Sequence, residues 1–241
     1  INEIAKLAGV SRATVSRYLN NGYVSEEKKK IIRKVIEETG YQPSSQAQML
    51  RTKKTKLVGV ILPKIDSNTI SREVAGISDI LTKKGYQLIL ANTNNNIEEE
   101  LKYLSLFKDN QVDGVIFIAT ILTKQHRDML KEYKVPIVLL GQRLEGYPCI
   151  FQDDQKAAMT LTEQMVKTGS KFGYITVTDK DEAVGRKRMS GVEEILSKNK
   201  IEFGSEYVKC GDFTLESGYE KAGELFGEHP DIDTLICATD T

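Results

Sequence analysis

Apolar positions recur along the chain with two different periods. Up to about residue 42 the spacing is helical. It predicts a helix over residues 2–7 that stops at Gly9, and a second over 12–19, capped by Ser11 and stopped at Asn20-Asn21-Gly22. A third is predicted over 26–39, with Ser25 at its start and Gly40 at its end, where Ile31, Ile32, Val35 and Ile36 face one side. Residues 43–51 have room for two helical turns, and residues 52–56 read as a basic tether. From Leu57 short apolar runs alternate with helical periods. Strands are predicted at 57–62, 87–92, 114–119, 137–141, 174–178 and 235–238. Helices are predicted at 70–84, 97–110, 124–133, 155–168, 183–199 and 215–226. Strands alternating with helices of this length predict parallel βαβ sheets. The long loop at 142–148, followed by a fresh α/β run, divides them into two lobes. The expected domains are therefore a helical unit at 1–42, a linker at 43–56, a first lobe at 57–148 and a second lobe at 149–241. A doubly wound second lobe calls for more strands than this chain supplies before Thr241, so that lobe is expected to be incomplete here.

Composition narrows the class. The chain has 241 residues, 40% apolar and 28% charged, enough for more than one ordinary globular domain. Its longest apolar run, from Gly114 to Leu122, is strand-sized, so no membrane span is expected. The sequence opens at Ile1 without a basic-then-apolar leader, and its three cysteines are far apart in sequence. Both features lead to the expectation of a cytoplasmic protein with reduced thiols. Two histidines and scattered cysteines support no metal centre. The zero net charge hides an asymmetry. Residues 1–56 carry 12 Lys/Arg against 5 Asp/Glu, and the rest carries 22 against 29. A basic end on an acidic body is the footprint of a small nucleic-acid-binding unit.

The first 20 residues give that footprint a mechanism. Ala5 is small enough for two helices to cross closely, and Gly9 permits the positive φ of a tight turn. Val10 fills the space between the helices, and Ile4, Ala8, Val15 and Leu19 supply the shared core. Arg12, Ala13, Thr14, Ser16 and Arg17 are left facing outward, at the end of the second helix that reaches base edges in a helix-turn-helix.

This segment resembles the DNA-binding headpiece of the lactose-repressor (LacI/GalR) family of bacterial transcription regulators. Gly40-Tyr41-Gln42-Pro43-Ser44, with Ala47, Leu50 and Arg51, is similar to the family's hinge helix. Leu57-Val58-Gly59-Val60-Ile61, Val112-Asp113-Gly114-Val115-Ile116 and Val184-Gly185-Arg186-Lys187-Arg188-Met189-Ser190-Gly191 resemble patterns of its core. Within the family the overall pattern is most similar to sucrose-operon repressors. Three stretches depart from it: Asp66-Ser67-Asn68-Thr69-Ile70 replaces an Asn-Pro-aromatic run, Gly141-Gln142-Arg143 an acidic-Arg pair, and Gly169-Ser170 a Gly-His step. They bear on the ligand and not on the fold.

The resemblance implies an all-α helix-turn-helix headpiece on a periplasmic-binding-protein-like core of two doubly wound α/β lobes. It implies double-stranded operator DNA, a small sugar effector and a second copy of the chain as partners, and no cofactor. Ser11, Arg12, Ala13, Thr14, Ser16, Arg17, Asn20, Tyr41, Leu50 and Lys53 are the implied DNA contacts. Leu50 would wedge into a minor-groove step, and the linker lysines would meet phosphate. The implied effector residues are Thr69, Ile70, Asp153, Arg188, Phe213, Thr239 and Asp240. Arg188 would bridge two sugar oxygens, and Phe213 would stack on the ring. Each has a structural alternative: Arg188 as an ion-pair residue, Phe213 as core, Asp153 and Asp240 as helix caps.

An enzyme is not expected. No Gly-rich phosphate loop follows a strand, Ser190-Gly191 lies inside a predicted helix, and neither His126 nor His229 has a Ser or Cys partner by spacing. Two other readings stay open: a sugar-binding module, and a catabolite-control regulator that uses a protein co-repressor.

Overall fold

The structure, a computed structural model, describes residues 1–41, 54–109 and 112–240. Two compact units divide the chain between Thr55 and Lys56. The expected hinge residues, Leu50 and Lys53 among them, lie outside the described residues.

In the first unit α1 (Asn2–Leu7), α2 (Arg12–Leu19) and α3 (Glu26–Thr39) enclose a small core. Gly9 sits at φ 63°, which lets the chain turn between α1 and α2 at little steric cost. The Ser11 hydroxyl then accepts the Thr14 N–H at 3.2 Å and so starts α2. Val15 and Ile32 are fully buried, with Ile4, Ala5, Ala8 and Val35 around them and Val10, Leu19 and Ile36 packed alongside. Ile31 departs from the pattern and faces solvent, because its neighbour Ile32 takes the inward position. Ser25 stands at the start of α3 without a side-chain capping bond; its carbonyl accepts the Lys29 N–H instead.

The second unit contains two parallel sheets. The first is built from β1 (Leu57–Leu62), β2 (Gln87–Asn92), β3 (Gly114–Ile118), β4 (Ile137–Leu140) and β5 (Cys149–Ile150), in the order β2-β1-β3-β4-β5. Between the strands run α4 (Asn68–Lys83), α5 (Ile97–Lys108), α6 (Lys124–Lys131) and, leaving the sheet, α7 (Asp154–Met165). The second sheet has the order β7-β6-β8, from β6 (Phe172–Thr176), β7 (Val208–Cys210) and β8 (Thr234–Cys237). A π-helical stretch, Glu182–Lys187, leads into α8 (Arg188–Lys198), and α9 (Leu215–Glu228) connects β7 to β8. Strand β5 carries the first sheet through Ile150, past the loop that ends at residue 148; two residues are too few to show a strand period.

The central strand runs are buried as a parallel sheet requires, while the edge strand β2 leaves Ile89 and Leu90 exposed. Ile61, Phe117 and Leu139 belong to one core cluster of the first lobe, and Val60 and Leu62 to another on the opposite face of the sheet. Gly59 is required there: a Cβ at this position would lie 2.6 Å from the Phe107 ring. Phe172, Tyr174, Val192, Leu196 and Ile236 form the core of the second lobe. His126 is also structural. Its Nδ1 takes the Thr123 N–H at 3.2 Å at the start of α6, and its Nε2 lies 3.1 Å from the buried Glu100 carboxylate.

Candidate functional site

Two surfaces carry the functional residues. In the first unit, Arg12, Ala13 and Arg17 are exposed on α2, with Thr14 and Ser16 half-buried on the same short helix. The fold turns Val15 inward and thereby fixes this outward set. Ser11 is also exposed, and its hydroxyl lies 2.9 Å from that of Thr14 while it caps the helix. The Asn20 amide turns back onto the Ser16 carbonyl at the end of α2. Tyr41 packs half-buried against the small core.

In the second unit, a cleft opens where chain segments leave the carboxyl ends of the parallel strands. The segment after β1 supplies Lys64 and residues 66–70, that after β2 supplies Asn95, and that after β3 supplies Thr120. From the second sheet, Asp181 follows β6, Phe213 follows β7, and Thr239 and Asp240 follow β8. Crevices outside strand carboxyl ends are where open α/β sheets take ligands. The cavity lined by these groups has a volume of about 280 Å³. A second hollow of about 420 Å³ shares Lys64, Asn95, Thr120, Asp181 and Phe213 with it.

The structure brings Thr69, Ile70, Arg188, Phe213, Thr239 and Asp240 onto one cavity wall set. Asp153 does not join them. It caps α7, its carboxylate accepting the Lys156 N–H at 3.1 Å. The neighbouring Asp154 points inward instead. Its Oδ1 lies 2.8 Å from both Nε and a terminal nitrogen of Arg188. A third Arg188 nitrogen donates to the Ala238 carbonyl at 2.6 Å. Arg188 is thus both an ion-pair residue and a cavity residue: a guanidinium has five N–H groups, more than these contacts use. The pairing is a form of preorganisation, because the fork is already held in one plane.

Sequence reasoning missed Asp181, Lys64, Asn95 and Thr120, and marked Gln142 only as part of a departure from the family pattern. Asp181 caps the π-helical stretch, with Oδ1 accepting from Ala183 N–H at 3.1 Å and Val184 N–H at 3.0 Å. The Gln142 side chain reaches the same oxygen from the first lobe at 2.8 Å. Burial pushes the Asp181 carboxyl up, against the lowering pull of these donors and of Arg188. The missed residues share one signal, a position within a few residues of a strand's carboxyl end.

Among the described residues there is no group of three or more His, Cys, Asp or Glu suited to a metal ion, and no helix long and apolar enough to cross a membrane.

Comparison with known proteins gives two adjoining family matches. Residues 1–44 match the model of bacterial regulatory proteins, lacI family, and residues 55–241 match that of periplasmic binding proteins and the sugar binding domain of the LacI family. The chain is 33% identical over 242 residues to the sucrose operon repressor of Staphylococcus xylosus, covering all of this chain and 75% of that protein. It is 34% identical over 245 residues to catabolite control protein A of Priestia megaterium, covering all of this chain and 74% of that one. In fold it is similar to the lac repressor dimer bound to operator and the anti-inducer ONPF, with a TM-score of 0.87 at 21% identity, over 98% of this chain and 72% of that one.

Proposed function

The chain belongs to the lacI family of bacterial regulatory proteins, and we propose that it represses a carbohydrate-utilisation operon from which a sugar in the interlobe cavity releases it. The observation that carries the reading is the cavity itself: polar groups from both sheets meet there beside one aromatic ring, Phe213. A sugar needs that combination, paired polar groups for its hydroxyls and an apolar face for its C–H side. The same chain carries a helix-turn-helix whose arginines are exposed. Arg12, Ala13 and Arg17 read base edges in the major groove, Ser11, Thr14, Ser16, Asn20 and Tyr41 position the unit, and Leu50 and Lys53 of the linker engage the minor groove and phosphate.

The working form is a homodimer on a pseudo-palindromic operator. The exposed apolar side chains Ile80 on α4 and Ile89 and Leu90 on the edge strand β2 support a partner copy. The setting is the cytoplasm, and the role of the core is binding rather than catalysis. Sugar releases DNA only by binding one lobe arrangement better than the other. A second reading, a catabolite-control regulator with a protein co-repressor, is favoured by the 34% identity to catabolite control protein A.

The test is a pair of measurements on the full-length protein. Binding to a promoter fragment should show a preferred palindromic site over random duplex. Sucrose, D-glucose or D-fructose should raise the melting midpoint of the core, as a ligand of the folded state does. Equal affinity for every duplex sinks the regulator reading, and no response to any sugar sinks the effector reading.

A further inference from the structure

One hydrogen bond in the cleft joins the lobes at the ligand cavity. Gln142 follows β4 of the first sheet and Asp181 follows β6 of the second. Their side chains meet at 2.8 Å, and the two residues are only 5% and 1% exposed. Three donors converge on Oδ1 of Asp181: Gln142, Ala183 and Val184. Among the described residues none falls on Oδ2, and Asp181 lies on the wall of both hollows of the cleft. An acceptor oxygen on a cavity wall that no described protein donor takes is open to a donor of the ligand. A carboxylate oxygen takes hydrogen bonds and gives none, so its complement is a hydroxyl or an amine.

We propose that Asp181 accepts a hydroxyl of the sugar through Oδ2, and that Gln142 holds this carboxylate from the opposite lobe, so that the group reading the effector is fastened across the lobe boundary. The proposal rests on the sugar-responsive reading above. Its consequence is differential affinity. The Gln142–Asp181 bond exists only when the two lobes hold their present spacing, and only in that arrangement does a sugar on Oδ2 find its acceptor held from both lobes, with Ala183 and Val184 holding it from its own. Asp181 is a binding residue here, and Gln142 is a positioning residue that acts through it.

Asp181→Asn separates binding from structure. The amide oxygen takes the place of Oδ1, so Ala183, Val184 and Gln142 keep their acceptor, while an NH2 replaces Oδ2 on the cavity side. A merely structural Asp181 tolerates that change. A sugar acceptor does not: the sugar concentration for half-maximal release of operator DNA should rise about 10- to 100-fold, with the melting midpoint close to wild type. Gln142→Met keeps the side-chain length and removes the donor. It should raise the same concentration about tenfold, and the double variant should fall short of the product of the two shifts because both act on one carboxylate.

The experiment titrates sucrose, D-glucose and D-fructose against the full-length protein on its operator, for wild type and the three variants. A wild type released by none of these sugars overturns the effector reading, and this proposal with it. A wild type that is released, alongside Asp181→Asn released at the same concentration, overturns the proposal alone. If Asp181→Asn melts early, Gln142→Met decides, and a response equal to wild type in that variant overturns the fastening across the lobes.

Discussion

Removing the Arg188 side chain tests whether the cleft wall is held by a buried charge pair. Arg188→Ala deletes both contacts to Asp154, at 2.8 Å, and the donation to the Ala238 carbonyl at 2.6 Å. The Asp154 carboxylate is left with its side chain 5% exposed and its cationic partner gone. Stripping one partner from a fully buried pair costs about 3–5 kcal/mol. The guanidinium side is 30% exposed, so water reaches part of the pair and reduces the loss. The expected cost is about 2–3 kcal/mol in the second unit, between the buried and surface limits. Arg188→Lys should recover part of this, because a lysine keeps the charge but not the fork that also holds Ala238. Urea denaturation of wild type, Arg188→Ala, Asp154→Ala and the double variant gives the coupling directly. It should exceed about 1 kcal/mol, with the double variant less damaged than the sum of the singles. A cost for Arg188→Ala below about 0.5 kcal/mol, with no coupling, would place the pair among surface ion pairs and refute the reasoning.

Three other outcomes are expected. Arg17→Ala should cost about 1–3 kcal/mol on the preferred operator and relax its sequence preference, while Lys53→Ala should weaken all duplexes alike; a mobility-shift series on matched and mismatched sites separates the two patterns. Gly9→Ala should destabilise the first unit by about 1–2 kcal/mol in thermal denaturation, because its φ of 63° lies in the left-handed region; an unchanged midpoint would mean the turn is not needed. Asp233 is held well below the ordinary carboxylate range, first by the Ser170 hydroxyl and then by the Lys171 N–H and the Thr234 hydroxyl. A depressed folded value means stability that is present above the unfolded value of about 4 and is lost as pH falls toward the folded one. Asp233→Asn should therefore flatten the acid limb of the melting-point profile, and an identical acid limb would remove Asp233 from the account.

Some of this was legible in the sequence because it is local. Gly9, Ser11 and Val15 act within a few residues of one another, so spacing alone places the turn, the cap and the core of the helix-turn-helix. The strand-helix alternation is equally local, since each run buries its own apolar face. What the sequence hid depends on distance. Asp154 meets Arg188 across 34 positions, and Gln142 meets Asp181 across 39. Neither pair has a period to reveal it. Of the two readings of Asp153, the structure shows the helix cap; its neighbour Asp154 is the buried partner of Arg188, and only the direction of the chain entering α7 tells two residues of the same chemistry apart. Lys64, Asn95 and Thr120 were within reach, because parallel sheets gather their ligand groups just past the strands' carboxyl ends.

The central claim is that one chain couples sugar in the cleft to DNA on α2. The most direct measurement is a titration of labelled operator with the full-length protein, without and with a sugar shown to bind the core. The account predicts tight, sequence-selective binding without the sugar and a fall in operator affinity of about tenfold or more at saturation, corresponding to a coupling of at least about 1.4 kcal/mol. Operator affinity that stays the same while the sugar fully occupies the core would contradict it.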